Sequence, residues 1–321
     1  MKKITWGIIG CGDVTEVKSG PAFNLVPGSE LSAVMRRDEA KASDYAQRHQ
    51  VRKWYSNAEE LINDDEINAI YIATPPAYHE AYTVQALKAG KPVYVEKPMA
   101  LDSLECIRMM EAAEKYSCKL SVAHYRRAQP KFLKILGLLK DKAIGDIVSA
   151  DLNFRQAYQP GTENTWRANP AISGGGLFHD LAPHQLDLIL YFFGQPLMTE
   201  GTSLNRASLY DADDYASAYI IFNEGIKFSG QWDFNARADD ETDMCEIIGT
   251  KGTIRFAVFD GLCELIINGR TESLNFAQLA HVQQPMIEQV VNYFLNKGPN
   301  PCSAVDGVEV MRMIDRVTGF N

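Results

Sequence analysis

The chain has 321 residues, 46% of them hydrophobic, enough for large cores and, at roughly 100 to 200 residues per domain, pointing to two domains. A formal net charge of −9, with no Lys/Arg run longer than a pair, excludes the basic surface that a nucleic-acid backbone requires. No apolar run reaches the ~20 residues that cross a bilayer, and no signal-peptide core follows Met1-Lys2-Lys3, so no membrane partner is expected and the location is read as cytoplasmic.

In chain order, the first part alternates apolar runs with helical stretches. Strands are predicted at Ile4 to Ile9, Leu31 to Met35, Ala69 to Ala73, Val93 to Val95 and Leu120 to Ala123. Helices are predicted between them at Glu39 to His49, Tyr78 to Ala89 and Ser103 to Tyr116. A βαβαβαβαβ order predicts a doubly wound parallel sheet of Rossmann type over residues 1–124. Beyond Arg126 come a helix at Lys131 to Leu139, a strand near Ile147 to Phe154, a Gly-rich turn and a helix through Phe193. Strands at Tyr215 to Phe222, Ile226 to Phe234, Met244 to Gly249 and Thr253 to Val258 follow with short turns, then helices at Pro285 to Leu295 and Ala304 to Val317. Residues 125–321 are therefore expected to form an α+β domain with a large, mostly antiparallel open sheet that carries the substrate site.

Chemistry concentrates at strand ends. Gly10-Cys11-Gly12-Asp13-Val14 follows the first strand, where a tight turn and a helix start aim backbone N–H groups at a pyrophosphate. The third glycine of that fingerprint is missing, and Thr15 stands in its place. Arg36 and Arg37 end the second strand and suit a ribose 2′-phosphate, which favours NADP(H), while Asp38 beside them keeps NAD(H) open. Thr74-Pro75 ends the third strand, His79 begins the next helix as either a cap or a cleft residue, and Glu96-Lys97-Pro98 ends the fourth; Thr74, Pro75, His79, Glu96 and Lys97 are counted as candidate cofactor contacts. Lys97, at the carboxyl edge of a parallel sheet, is placed to hydrogen-bond a reacting oxygen during hydride transfer.

In the second half, Gly174-Gly175-Gly176 precedes a helix on which Asp180, His184 and Asp187 share one face at i, i+4 and i+7. Carboxylate and imidazole together suit acid/base work, with His184 taking a hydroxyl proton and Asp180 orienting it or holding substrate. Pro183 inside the helix predicts a kink. No third metal ligand is evident, so no metal is expected. Tyr125 and Arg126 at the interdomain crossing are either substrate contacts or hinge packing; Trp166 and Arg167 either meet a sugar or anchor a loop. The six cysteines are scattered and read as reduced and structural.

These motifs, in this order, resemble the Gfo/Idh/MocA family, the glucose-fructose oxidoreductase and inositol dehydrogenase group. The resemblance covers essentially the whole chain and implies hydride transfer between a nicotinamide and a hydroxyl or carbonyl carbon of a sugar, inositol or related polyol. It implies Lys97 and His184 as catalytic pair, Asp180 as substrate or orienting ligand, and a homo-oligomer, dimer or tetramer, built on the open sheet face. Against the family pattern, Thr15 replaces the usual small third residue, and Arg36 replaces the acidic residue of strictly NAD-dependent members. Other readings of the same pieces are a dihydrodiol dehydrogenase-like enzyme, an NAD-dependent glycosidase that oxidises transiently, and a non-catalytic nucleotide-binding sensor.

Overall fold

A computed structural model describes residues 2–320. In chain order the first stretch comprises β1 (Ile4–Ile9), α1 (Asp13–Val17), α2 (Ala22–Leu25), β2 (Ser29–Met35), α3 (Glu39–Arg48) and β3 (Lys53–Tyr55). It continues through α4 (Ala58–Ile62), β4 (Ala69–Ile72), α5 (His79–Lys88), β5 (Val93–Val95), α6 (Ser103–Lys115) and β6 (Leu120–Val122). All five strand pairings are parallel, in the order β3-β2-β1-β4-β5-β6. That is the Rossmann order, whose direction reverses between β1 and β4. Residues of β4 and β5 are buried on both faces, as a sheet covered by helices on each side requires. The short edge strand β3 is the member that the sequence pattern did not reveal.

The second stretch contains α7 (Pro130–Lys140), β7 (Ile147–Ala157), α8 (Pro170–Ser173), α9 (Gly176–Phe193), β8 (Pro196–Leu204), β9 (Tyr215–Phe222) and β10 (Lys227–Ala236). It goes on with β11 (Thr242–Gly249), β12 (Gly252–Phe256), β13 (Cys263–Ile267), β14 (Arg270–Ser273), α10 (Gln284–Phe294) and α11 (Ala304–Thr318). The eight strands order as β14-β13-β12-β11-β7-β10-β9-β8, antiparallel throughout except for the β7–β10 pair. Burial alternates along β9 and β10, so one face of this sheet is covered and the other is open. The covered face packs on α9: Phe178 meets Trp232 edge-on at 5.1 Å, and the Trp232 indole N–H donates to Gln185 at 2.7 Å. Helix α9 continues through Pro183, where the sequence predicted a kink.

Two compact units emerge, one of residues 1–129 with 278–308, the other of 130–277 with 309–321. The contiguous division at 124/125 therefore gives way to a first unit that the chain re-enters late. Aromatic packing is the cause: Phe294 of α10 lies 5.5 Å from Trp6, which also meets Phe23 at 4.9 Å, and Phe23 in turn meets Tyr71 at 5.2 Å. Among the described residues no helix is long and apolar enough to cross a membrane.

Candidate active site

In the first unit the turn Gly10-Cys11-Gly12 leaves the end of β1 at the strand-order reversal. Gly10 has φ +93°, and a Cβ there would lie 2.8 Å from the backbone nitrogen of Thr74 and 2.9 Å from the carbonyl carbon of Ala73. Both atoms are main chain and cannot yield, so Gly10 seats the turn against the end of β4. Gly10→Ala is expected to cost about 3 kcal/mol or more in unfolding free energy, from left-handed strain plus overpacking, read as a urea midpoint shift at unchanged slope. Gly12 differs: a Cβ would meet nothing nearer than the Gly10 carbonyl oxygen at 3.9 Å. Protein packing does not require that glycine. It leaves open the space in front of the first N–H groups of α1, which have no partner inside the helix.

Thr15 is fully buried, and its hydroxyl donates to Gly12 O at 2.8 Å. The close approach expected of a third glycine falls instead to Gly20, where a Cβ would sit 2.2 Å from Thr15 O and 2.4 Å from the Tyr45 hydroxyl. Helix α1 ends after five residues, so the turn's N–H groups, rather than a long helix dipole, are what this segment offers to an anion. Between the glycines, burial pushes the Cys11 thiol up to about 11, so it stays protonated.

At the end of β2 the two arginines are placed by different partners. Arg36 donates to Cys11 O at 3.2 Å, tying it to the glycine turn, and the Arg37 guanidinium lies over the Tyr78 ring at 4.8 Å. Asp38 caps α3, its carboxylate accepting from Lys41 N at 3.1 Å, and that bond lowers its pKa.

Thr74 and Pro75 follow β4, half-buried, and Thr74 Oγ1 is a buried hydroxyl that meets no protein partner among the described residues. Lys97, half-buried, follows β5. Two residues expected at the cofactor lie beneath this surface instead. His79 has no exposed surface, and its ring nitrogens face Thr74 O at 2.7 Å and Pro98 O at 3.0 Å, bridging the loops after β4 and β5. Burial pushes His79 down to about 4. Glu96 is 5% exposed, and its carboxylate accepts from the Tyr71 hydroxyl and from Gln283 Nε2 at 2.6 Å. Tyr71 and Gln283 carried no signal in the sequence, because neither adjoins a motif. Further on in the first unit, Tyr125 is buried, Arg126 is half-buried, and Arg127 pairs with Asp306 at 3.4 Å.

In the second unit, α9 carries Asp180, His184 and Asp187. Gly175 and Gly176 are required by their neighbours: a Cβ on Gly175 would overlap the His179 ring at 2.2 Å, and Gly176, at φ +80°, would meet Ala212 Cβ at 2.4 Å. Asp180 accepts from Arg167 Nε at 2.8 Å, and the Arg167 guanidinium lies 4.6 Å over the Trp166 ring. The adjacent Trp166 and Arg167 thereby form one group with Asp180, 13 residues further on. His184 is 4% exposed and meets Phe259 edge-on at 5.7 Å, and Asp187 is 1% exposed. Among the described residues no cluster of three His, Cys, Asp or Glu side chains is placed to hold a metal ion.

The features of the first unit fit a nicotinamide dinucleotide: open space at Gly12, an unpartnered Thr74 hydroxyl and paired arginines at the β2 end. Comparison with known proteins agrees. Residues 4–124 match the oxidoreductase family with an NAD-binding Rossmann fold, and residues 132–255 match the GFO/IDH/MocA C-terminal domain. The chain is 45% identical over 321 residues to oxidoreductase P35 of Formosa agariphila, covering 99% of each. It is 29% identical to the NADP(+)-type scyllo-inositol 2-dehydrogenase IolW of Bacillus subtilis, over 65% of this chain and 57% of that one. A levoglucosan dehydrogenase structure in complex with NADH and levoglucosan superposes with a TM-score of 0.86 at 22% identity, covering 98% of this chain and 96% of that one. The chain belongs to the Gfo/Idh/MocA family and is a nicotinamide-dependent oxidoreductase.

Proposed function

We propose that this enzyme prefers NADP(H) and moves a hydride between the nicotinamide and a hydroxyl-bearing or carbonyl carbon of a sugar, inositol or related polyol. One observation carries the reading: the glycine turn, Thr74-Pro75 and Lys97 stand at the carboxyl ends of β1, β4 and β5, three adjacent strands of one parallel sheet. Gly10, Gly12, Asp13 and Val14 would cradle the pyrophosphate, Arg36 and Arg37 the 2′-phosphate, and Thr74 and Pro75 the side of the cofactor. The cofactor, when bound, supplies the hydride acceptor or donor.

In the direction of oxidation, the Lys97 ammonium donates a hydrogen bond to the substrate oxygen and stabilises its developing negative charge. The His184 imidazole accepts the hydroxyl proton, and Asp180, steadied by Arg167, holds or orients the substrate. In reduction the same proton returns from His184 to the oxygen. The polyol class is supported by the names of the relatives, an inositol dehydrogenase and a levoglucosan dehydrogenase among them. A homo-oligomer assembled on the open face of the eight-stranded sheet accords with the bare strand surface there.

The arginine pair favours the phosphorylated cofactor, since Asp38, the acidic residue nearest the β2 end, is engaged in capping α3. Arg36→Ala is expected to weaken NADP binding by about 10- to 100-fold and NAD binding by less than threefold, as a charge-assisted phosphate contact implies. Titration calorimetry with both cofactors checks this, and unchanged selectivity would reject the phosphate role. A panel of sugars, inositols and their keto forms, run with both cofactors, tests the activity. Net reduction of NADP by a polyol supports it. Cofactor binding without any net change in its redox state would instead indicate a glycosidase or a sensor.

A further inference from the structure

Gln283 reaches the first unit 187 residues after Glu96, yet it contacts both ends of the nucleotide machinery. Its main-chain N–H donates to Lys18 O at 3.1 Å, and the His281 Nδ1 lies 2.6 Å from Val17 O, so residues 281 to 283 grip the C-terminal end of α1. The Gln283 side chain has no exposed surface. Its Nε2 donates to Glu96 Oε1 at 2.6 Å, and its Oε1 accepts from the Tyr94 hydroxyl at 3.3 Å. Glu96 Oε2 accepts from the main-chain N–H of Lys97 at 3.2 Å. A parallel route runs from Ser19, just beyond α1, whose Oγ is 3.1 Å from the Tyr71 hydroxyl, which donates to the same Glu96 oxygen as Gln283.

We propose that Gln283 is a positioning residue for the reaction, fixing the Glu96 carboxylate and through it the Lys97 main chain in register with the glycine turn. This rests on the reading of Lys97 as the catalytic lysine. A buried carboxylate must be met by donors, and bonds to its charged form are about twice as strong as neutral ones. The Gln283 amide serves both partners at once, donating to Glu96 through Nε2 and accepting from Tyr94 through Oε1. Displacing a reacting group by about 1 Å costs on the order of a hundredfold in rate, so a loosened Glu96 acts on turnover rather than on cofactor binding.

The test is Gln283→Leu, with Gln283→Met as the unbranched variant should the leucine enzyme not fold. Using the polyol turned over fastest in the panel, turnover is expected to fall about 10- to 100-fold, with KM and the NADPH dissociation constant within threefold. The primary deuterium isotope effect on turnover should rise, because hydride transfer becomes the slower step. On a Lys97→Ala background the same substitution should change turnover by less than twofold, since its effect passes through the lysine. Turnover within threefold of the parent, or a full loss that persists without Lys97, overturns the role of Gln283 alone. A Lys97→Ala enzyme with parental turnover overturns the lysine's role, and this one with it.

Discussion

Lys97→Ala should lower turnover by about two to four orders of magnitude while leaving the NADPH dissociation constant within about twofold. The size follows from what the ammonium is asked to do: an oriented cationic donor at an oxygen that gains charge only in the transition state stabilises that state and hardly affects the ground-state complex. Its position supports such selectivity. Lys97 leaves β5 one strand away from Thr74 and two from the glycine turn, and its main chain is held by Glu96 on one side, with His79 facing Pro98 on the other. Steady-state kinetics and direct cofactor titration check the prediction together. Loss of cofactor affinity parallel to the loss of turnover would mean that Lys97 serves binding, and that the proton and charge chemistry lies elsewhere.

Stability should fall steeply as pH is lowered from 6.5 to 4, before most carboxylates titrate. Three of the buried imidazoles have lowered pKa values: His79 and His179 are pushed down to about 4 by desolvation, and His124 well below its ordinary value for the same leading reason. In the unfolded chain each would bind a proton near pH 6.5. Between 6.5 and 4 the unfolded state therefore holds more protons than the folded one, so stability is complete above this window and is lost progressively inside it. The three shifts have the same sign, so their effects on stability add across this window. Glu16, held down to about 2 chiefly by its bond from Arg48, loses its contribution only below about 4.5 and cannot account for the upper part of the window. Urea midpoints measured at half-unit intervals from pH 7 to 4 read this directly, and a flat profile above pH 5 would contradict it.

Strand-end chemistry was readable because parallel strands are continuous apolar runs and the residues after them stand out. Gly10, Gly12, Thr74 and Lys97 were legible for that reason, as was the α9 series Asp180, His184 and Asp187, which is set by helical spacing alone. What stayed hidden depends on partners distant in sequence. The three-residue edge strand Lys53–Tyr55 is too short to show a period, and the parallel pairing of β7 with β10 is a register choice that alternation does not encode. Glu96 and His79 sit in motifs and so were read as ligand contacts; only their burial shows them as supports. Thr15 looked like a defect in the glycine fingerprint, yet the missing close contact is made five residues later by Gly20.

The late return of residues 278–308 to the first unit bears on how the molecule comes to be made. A ribosome that has released residues 1–129 has produced a nucleotide fold with Trp6 lacking Phe294 and Glu96 lacking Gln283. Its completion must wait until residues 278–308 have emerged, so synthesis order and folding order diverge. Excising residues 1–129 as an independent module would leave an aromatic surface bare and invite aggregation.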